Sequence, residues 1–306
     1  MHPNNAHKNG YPMDKLCKRH PALKAFITPA KSGQPSIDFA NPTAVKALNT
    51  ALLAYYYNMT YWDIPTGYLC PPVPGRADYL HGIADLLQAD AANKAPRASG
   101  SEVKGLDIGV GANAIYPILG SQLFGWQFVG SDIDKKSIEN CQTIIQRNPP
   151  LSSLFSVRHQ PNKACIFSGI IHEDDYFSFT MCNPPFHKSA SDANKGSVKK
   201  VANLSRHKNK RANNKGRLRL SSKPPLNFEG QSNELWCDGG ELAFIQTMIK
   251  ESVVVKSQVG WFTCLVSKSA HLKAINTSLN YYNAAEIKTL NMGQGQKQSR
   301  FVAWRF

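Results

Sequence analysis

The stretch Asn183-Pro184-Pro185-Phe186 combines residue types that could hold a planar exocyclic amine. It follows an apolar run that ends at Cys182, so we expect it at the end of a β-strand. Two successive prolines remove two backbone N–H donors and fix φ, which leaves carbonyl oxygens as acceptors beside the side-chain oxygen of Asn183. An NH₂ group needs two acceptors, and Phe186 could stack on the ring that carries the amine. A plain proline-rich turn is the alternative interpretation of these four residues alone.

A second candidate site is the turn that begins at Asp107 and contains Gly109 and Gly111. It lies between a predicted strand and a predicted helix, where backbone N–H groups can face a ligand. A dinucleotide-binding loop would have a third glycine where this chain has Ala114, and an acid at position 107 would repel a pyrophosphate. That acid would instead favour the cationic amino-acid end of S-adenosylmethionine. An ordinary strand-to-helix turn is the alternative.

Two further carboxylates, Asp132 and Asp134, follow the next predicted strand. Carboxylates at this place suit a ribose diol. Because Asp134 precedes Lys135 and Lys136 at the start of a predicted helix, it is typical of a helix N-cap. We therefore rank Asp132 above Asp134 as the residue that binds the ribose, and a contact from Asp134 to the cofactor stays open.

The elements that must position these residues alternate between strands and helices from residue 103 onward. This pattern predicts an α/β fold with a doubly wound, largely parallel sheet. The predicted strands are 103–108, 127–131, 177–182, 260–266, 284–290 and 300–306, and the predicted helices are 115–124, 135–147 and 241–255.

The first third of the chain has a different composition. Residues 1–13 are polar and rich in Asn, His and Pro, so we expect a disordered tail. Residues 14–90 predict an N-terminal helical element, in which Asn41 caps a helix that has Pro42 in its first turn. Within it, residues 63–76 are dense in proline and predict an extended segment, followed by a helix over 77–87.

The charge balance favours a polyanionic partner. The 306 residues include 36 Lys and Arg against 21 Asp and Glu, a net charge of +15. Nucleic acid is the first candidate and an anionic membrane surface the second, but no run approaches the roughly 18 apolar residues of a membrane-spanning helix. The first residues do not resemble a signal peptide, so we expect a cytoplasmic protein. Seven scattered cysteines without a Cys-x-x-Cys pair predict neither a disulfide framework nor a metal site.

One segment, 187–225, interrupts the alternation of strands and helices. It holds twelve Lys and Arg against one acid, Asp192, and almost no apolar residues. We expect it to be disordered in isolation and to bind phosphates from its position next to the Asn-Pro-Pro-Phe corner. The residues that we predict to contact RNA are Lys199, Lys200, Arg206, Lys208, Lys210, Arg211, Arg217 and Arg219.

In their order along the chain, five motifs resemble class I S-adenosylmethionine-dependent methyltransferases of the adenine-N6 type. They are residues 70–81, 107–111, 183–187, 235–241 and 295–301. The resemblance is strongest to the METTL16-like family, whose bacterial members methylate N6 of adenine 1618 in 23S ribosomal RNA. It covers most of the chain, and the main departure from the family is the length and basicity of the 187–225 insert.

The resemblance implies a seven-stranded, Rossmann-like methyltransferase domain over residues 100–306. It implies S-adenosylmethionine as cofactor, S-adenosylhomocysteine as product and no metal. The partner would be 23S ribosomal RNA or an assembly intermediate of the large subunit, and we expect a monomer. The implied cofactor-binding residues are Arg76, Asp107, Gly109, Gly111 and Asp132, and the implied catalytic residues are Asn183, Pro184, Pro185 and Phe186.

Two kinds of alternative stay open from the sequence. Asn-Pro-Pro-aromatic motifs also occur in enzymes that methylate guanine N2, cytosine N4 or a glutamine amide. A catalytically silent RNA-binding or ribosome-assembly module could use the same charge, although it would have no need of Asp107, Asp132 and Asn183.

Overall fold

A computed structural model describes residues 1–30, 32–92, 103–188, 235–294 and 297–306. The N-terminal part is largely helical and carries one small β-hairpin. Its elements are α1 (Met13–Arg19), a 3₁₀ turn (Pro21–Phe26), the antiparallel strands β1 (Ile27–Pro29) and β2 (Pro35–Ile37), α2 (Pro42–Tyr56) and α3 (Val73–Ala92).

The start of α2 confirms the predicted cap. The side-chain oxygen of Asn41 accepts hydrogen bonds from the backbone N–H groups of Thr43 at 3.0 Å and Ala44 at 3.4 Å. Pro42 occupies the first turn, where its missing N–H would have no partner within the helix. A stripe of buried alanines, leucines and a valine then packs α2 onto the core.

Residues 1–13 differ from the predicted disordered tail. The Asn5 side chain is 0% exposed and donates hydrogen bonds to Asp78 Oδ1 at 2.6 Å and to the Pro74 carbonyl at 2.9 Å. His7 is also buried, with its Nε2 atom 2.8 Å from the Tyr57 hydroxyl. The tail prediction was wrong because composition alone does not show that these polar side chains have partners on α2 and α3.

The extended segment predicted over 63–76 ends earlier than expected. Helix α3 already begins at Val73, so Arg76 lies in its first turn. Its backbone N–H donates to the Pro72 carbonyl at 3.3 Å. A proline in the first turn is compatible with a helix, and the density of prolines therefore did not require extended backbone.

The remaining elements alternate as predicted. They are β3 (Lys104–Ile108), α4 (Ile115–Phe124), β4 (Gln127–Asp132), α5 (Lys135–Gln146), β5 (Phe155–His159), β6 (Phe177–Cys182), α6 (Gly240–Ser252), β7 (Val259–Val266), α7 (Leu272–Tyr281), β8 (Glu286–Gln294) and β9 (Lys297–Arg305). The sequence analysis missed β5 and α7. The division of the chain near residue 100 stays a prediction, since residues 93–102 lie outside the described parts.

Seven of the strands form one sheet in the order β5-β4-β3-β6-β7-β9-β8. The five strands from β5 to β7 run parallel, and β9 pairs antiparallel with both β7 and β8. The strand order reverses between β3 and β6, and in such folds ligands bind at the carboxyl ends of the strands on either side of this point. The predicted α/β class I methyltransferase fold is confirmed.

The sheet is covered on both faces, as a doubly wound fold requires. One core packs the N-terminal helices, α4 and α5 against large side chains that include Phe128, Phe179 and Trp261. The other packs α6 and α7 against Phe262 and Trp304. Across the ranges that the structure describes, no helix is both long and apolar enough to cross a bilayer.

Candidate active site

A cavity of about 630 Å³ opens at the carboxyl ends of the parallel strands. Its walls come from the turns after β3, β4, β5 and β6, from α3 and α4, and from the start of α6. It brings together most residues of the predicted site, namely Arg76, Gly109, Gly111, Asp132, Asn183 and Pro185.

The turn after β3 leaves open space for a ligand. Gly109 and Gly111 have φ values of +71° and +63°, which residues with a side chain rarely adopt. A Cβ atom on Gly109 would have no heavy atom within 4 Å. The N–H groups of Gly109 and Gly111 donate at 2.9 Å to the Ser131 carbonyl and to Asp132 Oδ2, so the turn is tied to the end of β4.

Asp107 lies beneath this turn with an uncompensated carboxylate. It is 1% exposed, and neither of its oxygens has a hydrogen-bond partner among the described residues. Burial raises the pKa of Asp107 well above its ordinary range, while the nearby Arg76 guanidinium partly opposes that rise. A buried carboxylate without a donor is unfavourable, so this position suits a ligand that brings a cationic donor.

Arg76 reaches the cavity from α3. Its Nη1 donates to the Tyr116 hydroxyl at 2.5 Å, and its guanidinium carbon lies 5.3 Å from the centre of the Tyr116 ring. The buried Nε atom has no partner in the described parts of the chain. Helix α3 and Tyr116 therefore hold this side chain, whereas the sequence analysis expected a proline-rich extended lead-in and did not identify Tyr116.

The two carboxylates after β4 have different partners. Asp132 is 8% exposed and lines the cavity, and its Oδ1 accepts the Asp134 N–H at 2.9 Å. Asp134 accepts from the backbone N–H groups of Lys136 and Ser137 at the start of α5, which confirms it as the N-cap. Burial raises the pKa of Asp132, which the backbone N–H donors oppose. The assignment of Asp132 to a ribose stays a prediction.

The Asn-Pro-Pro-Phe corner follows β6 directly. The Asn183 Oδ1 atom is buried at the cavity and has no partner among the described residues, so it is available as an acceptor. Pro185 also lines the cavity, while Pro184 is buried and Phe186 is half-buried, and neither belongs to the lining. The roles predicted for these four residues stay predictions.

A further wall of the cavity was not predicted. It is formed by Gln160, Lys163, Cys165 and Ile166, which follow the missed strand β5. The Glu251 carboxylate of α6 accepts the Ile166 N–H at 2.9 Å and holds this loop in place. The position of the loop after a third parallel strand could have identified it, had β5 been recognised.

Some sequence predictions fall outside the described residues. These include all eight Lys and Arg residues predicted to contact RNA, from Lys199 to Arg219. In the part of the chain that the structure covers, no group of three or more His, Cys, Asp or Glu could hold a metal ion. The prediction that the protein uses no metal stays a prediction.

The comparisons with known proteins agree on one family. A family model described as RNA methyltransferase matches residues 1–306. The chain is 62% identical to ribosomal RNA large subunit methyltransferase F of Pseudoalteromonas atlantica, over 100% of the chain and 92% of that protein. It is 51% identical to the protein of the same name from Flavobacterium johnsoniae, over 100% of the chain and 93% of that protein.

Solved structures show the same likeness. The human METTL16 catalytic domain in complex with MAT2A 3'UTR hairpin 1 matches with a TM-score of 0.79 and 28% identity, over 100% of the chain and 95% of that domain. The N-terminal domain of human METTL16 in complex with SAH matches with a TM-score of 0.74 and 25% identity, over 100% of the chain and 98% of that domain.

Proposed function

The chain belongs to the RNA methyltransferase family, within the group of ribosomal RNA large subunit methyltransferases F, and from this premise we propose its reaction. It transfers the methyl group of S-adenosylmethionine to N6 of an adenine in 23S ribosomal RNA, adenine 1618. The similar METTL16 domain in complex with SAH supports S-adenosylmethionine as the cofactor. The METTL16 domain in complex with an RNA hairpin supports RNA as the substrate. A role in ribosome maturation would place the protein in the cytoplasm.

The cavity suits the amino-acid end of this cofactor. Asp107 is buried beneath the turn after β3 and is not part of the cavity lining, and we assign its unpaired carboxylate to the α-amino group. Arg76, which lines the cavity, offers a guanidinium donor for the α-carboxylate. Asp132 lies at the end of the neighbouring strand, where its carboxylate can accept from the ribose hydroxyls. When bound, S-adenosylmethionine supplies a methyl group that is activated by a positively charged sulfur.

The chain's own contribution to the reaction is to bind and orient the amine. The lone pair of the adenine amine is delocalised into the ring, so the amine is a poor nucleophile. If Asn183 Oδ1 and the Pro184 carbonyl accept its two hydrogens, the nitrogen can pyramidalise and direct its lone pair at the methyl group. Formation of the N–C bond would be matched by loss of the S–C bond, with S-adenosylhomocysteine as the leaving group, and the methylated amine would then lose one proton to water. Pro185 keeps the corner rigid, and Phe186 contributes a ring on which the base can stack.

One observation carries this proposal. The Asn183 Oδ1 atom is a buried acceptor without a partner in the described residues, and Asn183 lines the same cavity as Arg76 and Asp132. A buried acceptor that has no protein donor favours a ligand that donates. The exocyclic amine of a base that has been unstacked from the RNA is such a donor.

The basic composition supports binding of the RNA backbone. The net charge of +15 would attract phosphates, and the affinity should fall steeply as salt is raised. The eight residues from Lys199 to Arg219 named above are proposed as phosphate contacts. Their contribution is open to test by deletion.

The most direct test is mass mapping of the nucleotide methylated in unmodified 23S ribosomal RNA by the purified protein with S-adenosylmethionine. We expect one N6-methyladenine, at adenine 1618. Asn183→Ala should lower kcat by at least about 100-fold, because one preorganised acceptor is lost, and should leave SAH affinity unchanged. A methyl group on guanine or on protein would contradict the assignment, and binding of RNA without any transfer would favour a silent RNA-binding module.

A second test addresses the basic insert. Removal of residues 190–222 should weaken RNA affinity and flatten its dependence on salt, while SAH affinity stays the same. Filter binding over a series of salt concentrations measures both quantities. Equal affinity and equal salt dependence in both proteins would exclude the insert from RNA binding.

A further inference from the structure

Three side chains that line the cavity carry a buried polar atom with no partner among the described residues. They are Arg76, Asn183 and Trp236. The first two have roles in the proposed reaction, but Trp236 does not. Its indole Nε1–H is a donor only, and a buried donor without an acceptor is unfavourable. At the wall of a ligand cavity, such an atom points to a ligand group that accepts a hydrogen bond.

The backbone brings Trp236 to the Asn-Pro-Pro-Phe corner. The His187 N–H donates to the Leu235 carbonyl at 3.0 Å, and the Cys237 N–H donates to the His187 carbonyl at 3.2 Å. These two bonds form a parallel bridge between His187 and Trp236. Since His187 directly follows Phe186, the indole donor and the Asn183 acceptor are fixed to the same end of β6.

We propose that Trp236 recognises the target base. Its Nε1–H donates to a ring nitrogen next to the exocyclic amine, while Asn183 Oδ1 accepts from that amine. This inference rests on the proposed function, because it takes the ligand of this part of the cavity to be the RNA base. It adds a second contact that selects the base.

One acceptor beside one donor on the protein complements adenine. The N6 amine of adenine donates, and the ring nitrogens on either side of it, N1 and N7, accept. Guanine presents O6 and N7, which are both acceptors, and N1 carries a hydrogen. Guanine bound in the same orientation, with O6 in the place of N6, would therefore set an acceptor against Asn183 Oδ1, which cannot donate. In this orientation Asn183 and Trp236 together select adenine over guanine.

The first experiment compares Trp236→Phe with Trp261→Phe. Both changes remove one indole N–H that is buried without a partner among the described residues, but Trp261 lies on β7 and does not line the cavity. We expect Trp236→Phe to lower kcat/KM for RNA about tenfold, which corresponds to one neutral hydrogen bond, with unchanged SAH affinity. Trp261→Phe should leave kcat/KM unchanged in protein that thermal melting shows to be folded.

The second experiment replaces the target adenine in an RNA oligonucleotide by 1-deazaadenine or 7-deazaadenine. Each analogue lacks one ring nitrogen, so it also identifies which nitrogen accepts. For each protein, the loss is the ratio of its activity on the adenine oligonucleotide to its activity on the analogue. On one analogue, we expect this loss to be about tenfold larger for the wild type than for Trp236→Phe. On the other analogue, the two proteins should lose activity equally.

Two results would overturn this inference while the proposed function stands. Equal losses of the wild type and Trp236→Phe on both analogues would show that the indole does not contact the base. A drop in SAH affinity for Trp236→Phe, with unchanged kcat/KM once cofactor is saturating, would assign the indole to the cofactor. In contrast, a wild type that does not methylate unmodified RNA would contradict the proposed function itself.

Discussion

Two carboxylates, one on β3 and one just before the neighbouring strand β6, have opposite environments. Asp175, just before β6, accepts from Arg158 Nη2 at 3.2 Å, from Lys104 Nζ at 3.0 Å and from the His172 N–H at 3.0 Å. Asp107, near the end of β3, has no hydrogen-bond donor within the described residues. These contacts hold the pKa of Asp175 well below its ordinary range, whereas burial raises that of Asp107.

The difference separates a charge that stabilises the fold from a charge that is kept for a ligand. Paired groups around Asp175 connect β3, β5 and the segment before β6, so their removal should reduce stability. The Asp107 carboxylate is unfavourable in the free protein, so its value to the protein must come from what it binds. The two positions should therefore respond oppositely to the same chemical change.

The largest expected effect belongs to Asp107→Asn. The neutral amide loses a charge-assisted hydrogen bond to the α-amino group, so SAH affinity should fall about 100-fold. Isothermal titration calorimetry measures the loss. Without ligand, this variant should melt at the same temperature as the wild type or higher, because the desolvated charge is gone.

Asp175→Asn is the matched control for that experiment, since it makes the same substitution at the paired site. It should leave SAH affinity unchanged. A loss of affinity in both variants would show that Asp107 acts through general stability, and the comparison between the two carboxylates would fail.

The next effect is the stability cost of Asp175→Asn. The Asp175 side chain is 8% exposed, and its neutralisation leaves Arg158 and Lys104 without their counter-charge. We expect a loss of about 2 kcal/mol in the free energy of unfolding. Urea denaturation of wild type and variant measures it, and equal midpoints would show that this cluster contributes nothing.

The pH dependence should have opposite signs at the two sites. The pKa of Asp107 is raised in the fold, so the unfolded chain loses its proton first as pH rises. Wild-type stability relative to Asp107→Asn should therefore fall as pH rises above about 4. The pKa of Asp175 is lowered, so the advantage of wild type over Asp175→Asn is complete above about pH 4 and is lost as pH falls below it.

Urea denaturation of the three proteins between about pH 3 and 7 tests both signs, and the expected differences are about 1 kcal/mol per pH unit near the transition. Parallel curves for the two variants would contradict the distinction between the two carboxylates.

Local pattern predicted most of the sheet but not all of it. The helix at 115–124 and the strand at 177–182 agree with the structure at both ends, because each is apolar and bounded by turn residues. Strand β5, Phe-Ser-Val-Arg-His, alternates apolar and polar residues, but it is only five residues long and lies at the edge of the sheet, so its sequence signal is short. Helix α7 was missed although Ile275 and Leu279 form its buried stripe.

The sequence motifs predicted most residues of the candidate site. Five of its residues meet at one cavity because the carboxyl ends of β3, β4 and β6 are adjacent, and Arg76 reaches the same cavity from α3. What the sequence could not show is which polar atoms lack partners. The contact of Tyr116 with Arg76 joins residues that are far apart along the chain, and so does the bridge that places Trp236, whose indole N–H has no partner among the described residues.

The smallest expected effect concerns the N-terminal segment. It tests whether Asn5 stabilises the fold, as Asp175 does, or also supports ligand binding. Asn5 Nδ2 donates to Asp78 Oδ1 at 2.6 Å and to the Pro74 carbonyl at 2.9 Å, in the first turns of the helix that carries Arg76. Asn5→Ala should lower the free energy of unfolding by about 1 kcal/mol, because Asp78 keeps a second donor in the His2 N–H at 2.9 Å.

If this segment also positions Arg76, SAH affinity should fall in Asn5→Ala as well as stability. Lys8→Ala is the control, because the exposed Lys8 side chain donates to the Pro3 carbonyl of the same segment, at 2.5 Å. Reduced stability with unchanged affinity would assign Asn5 to the fold alone, together with Asp175. Unchanged stability would show that the buried amide contributes no more than the alanine that replaces it, and would favour the original prediction of a disordered tail.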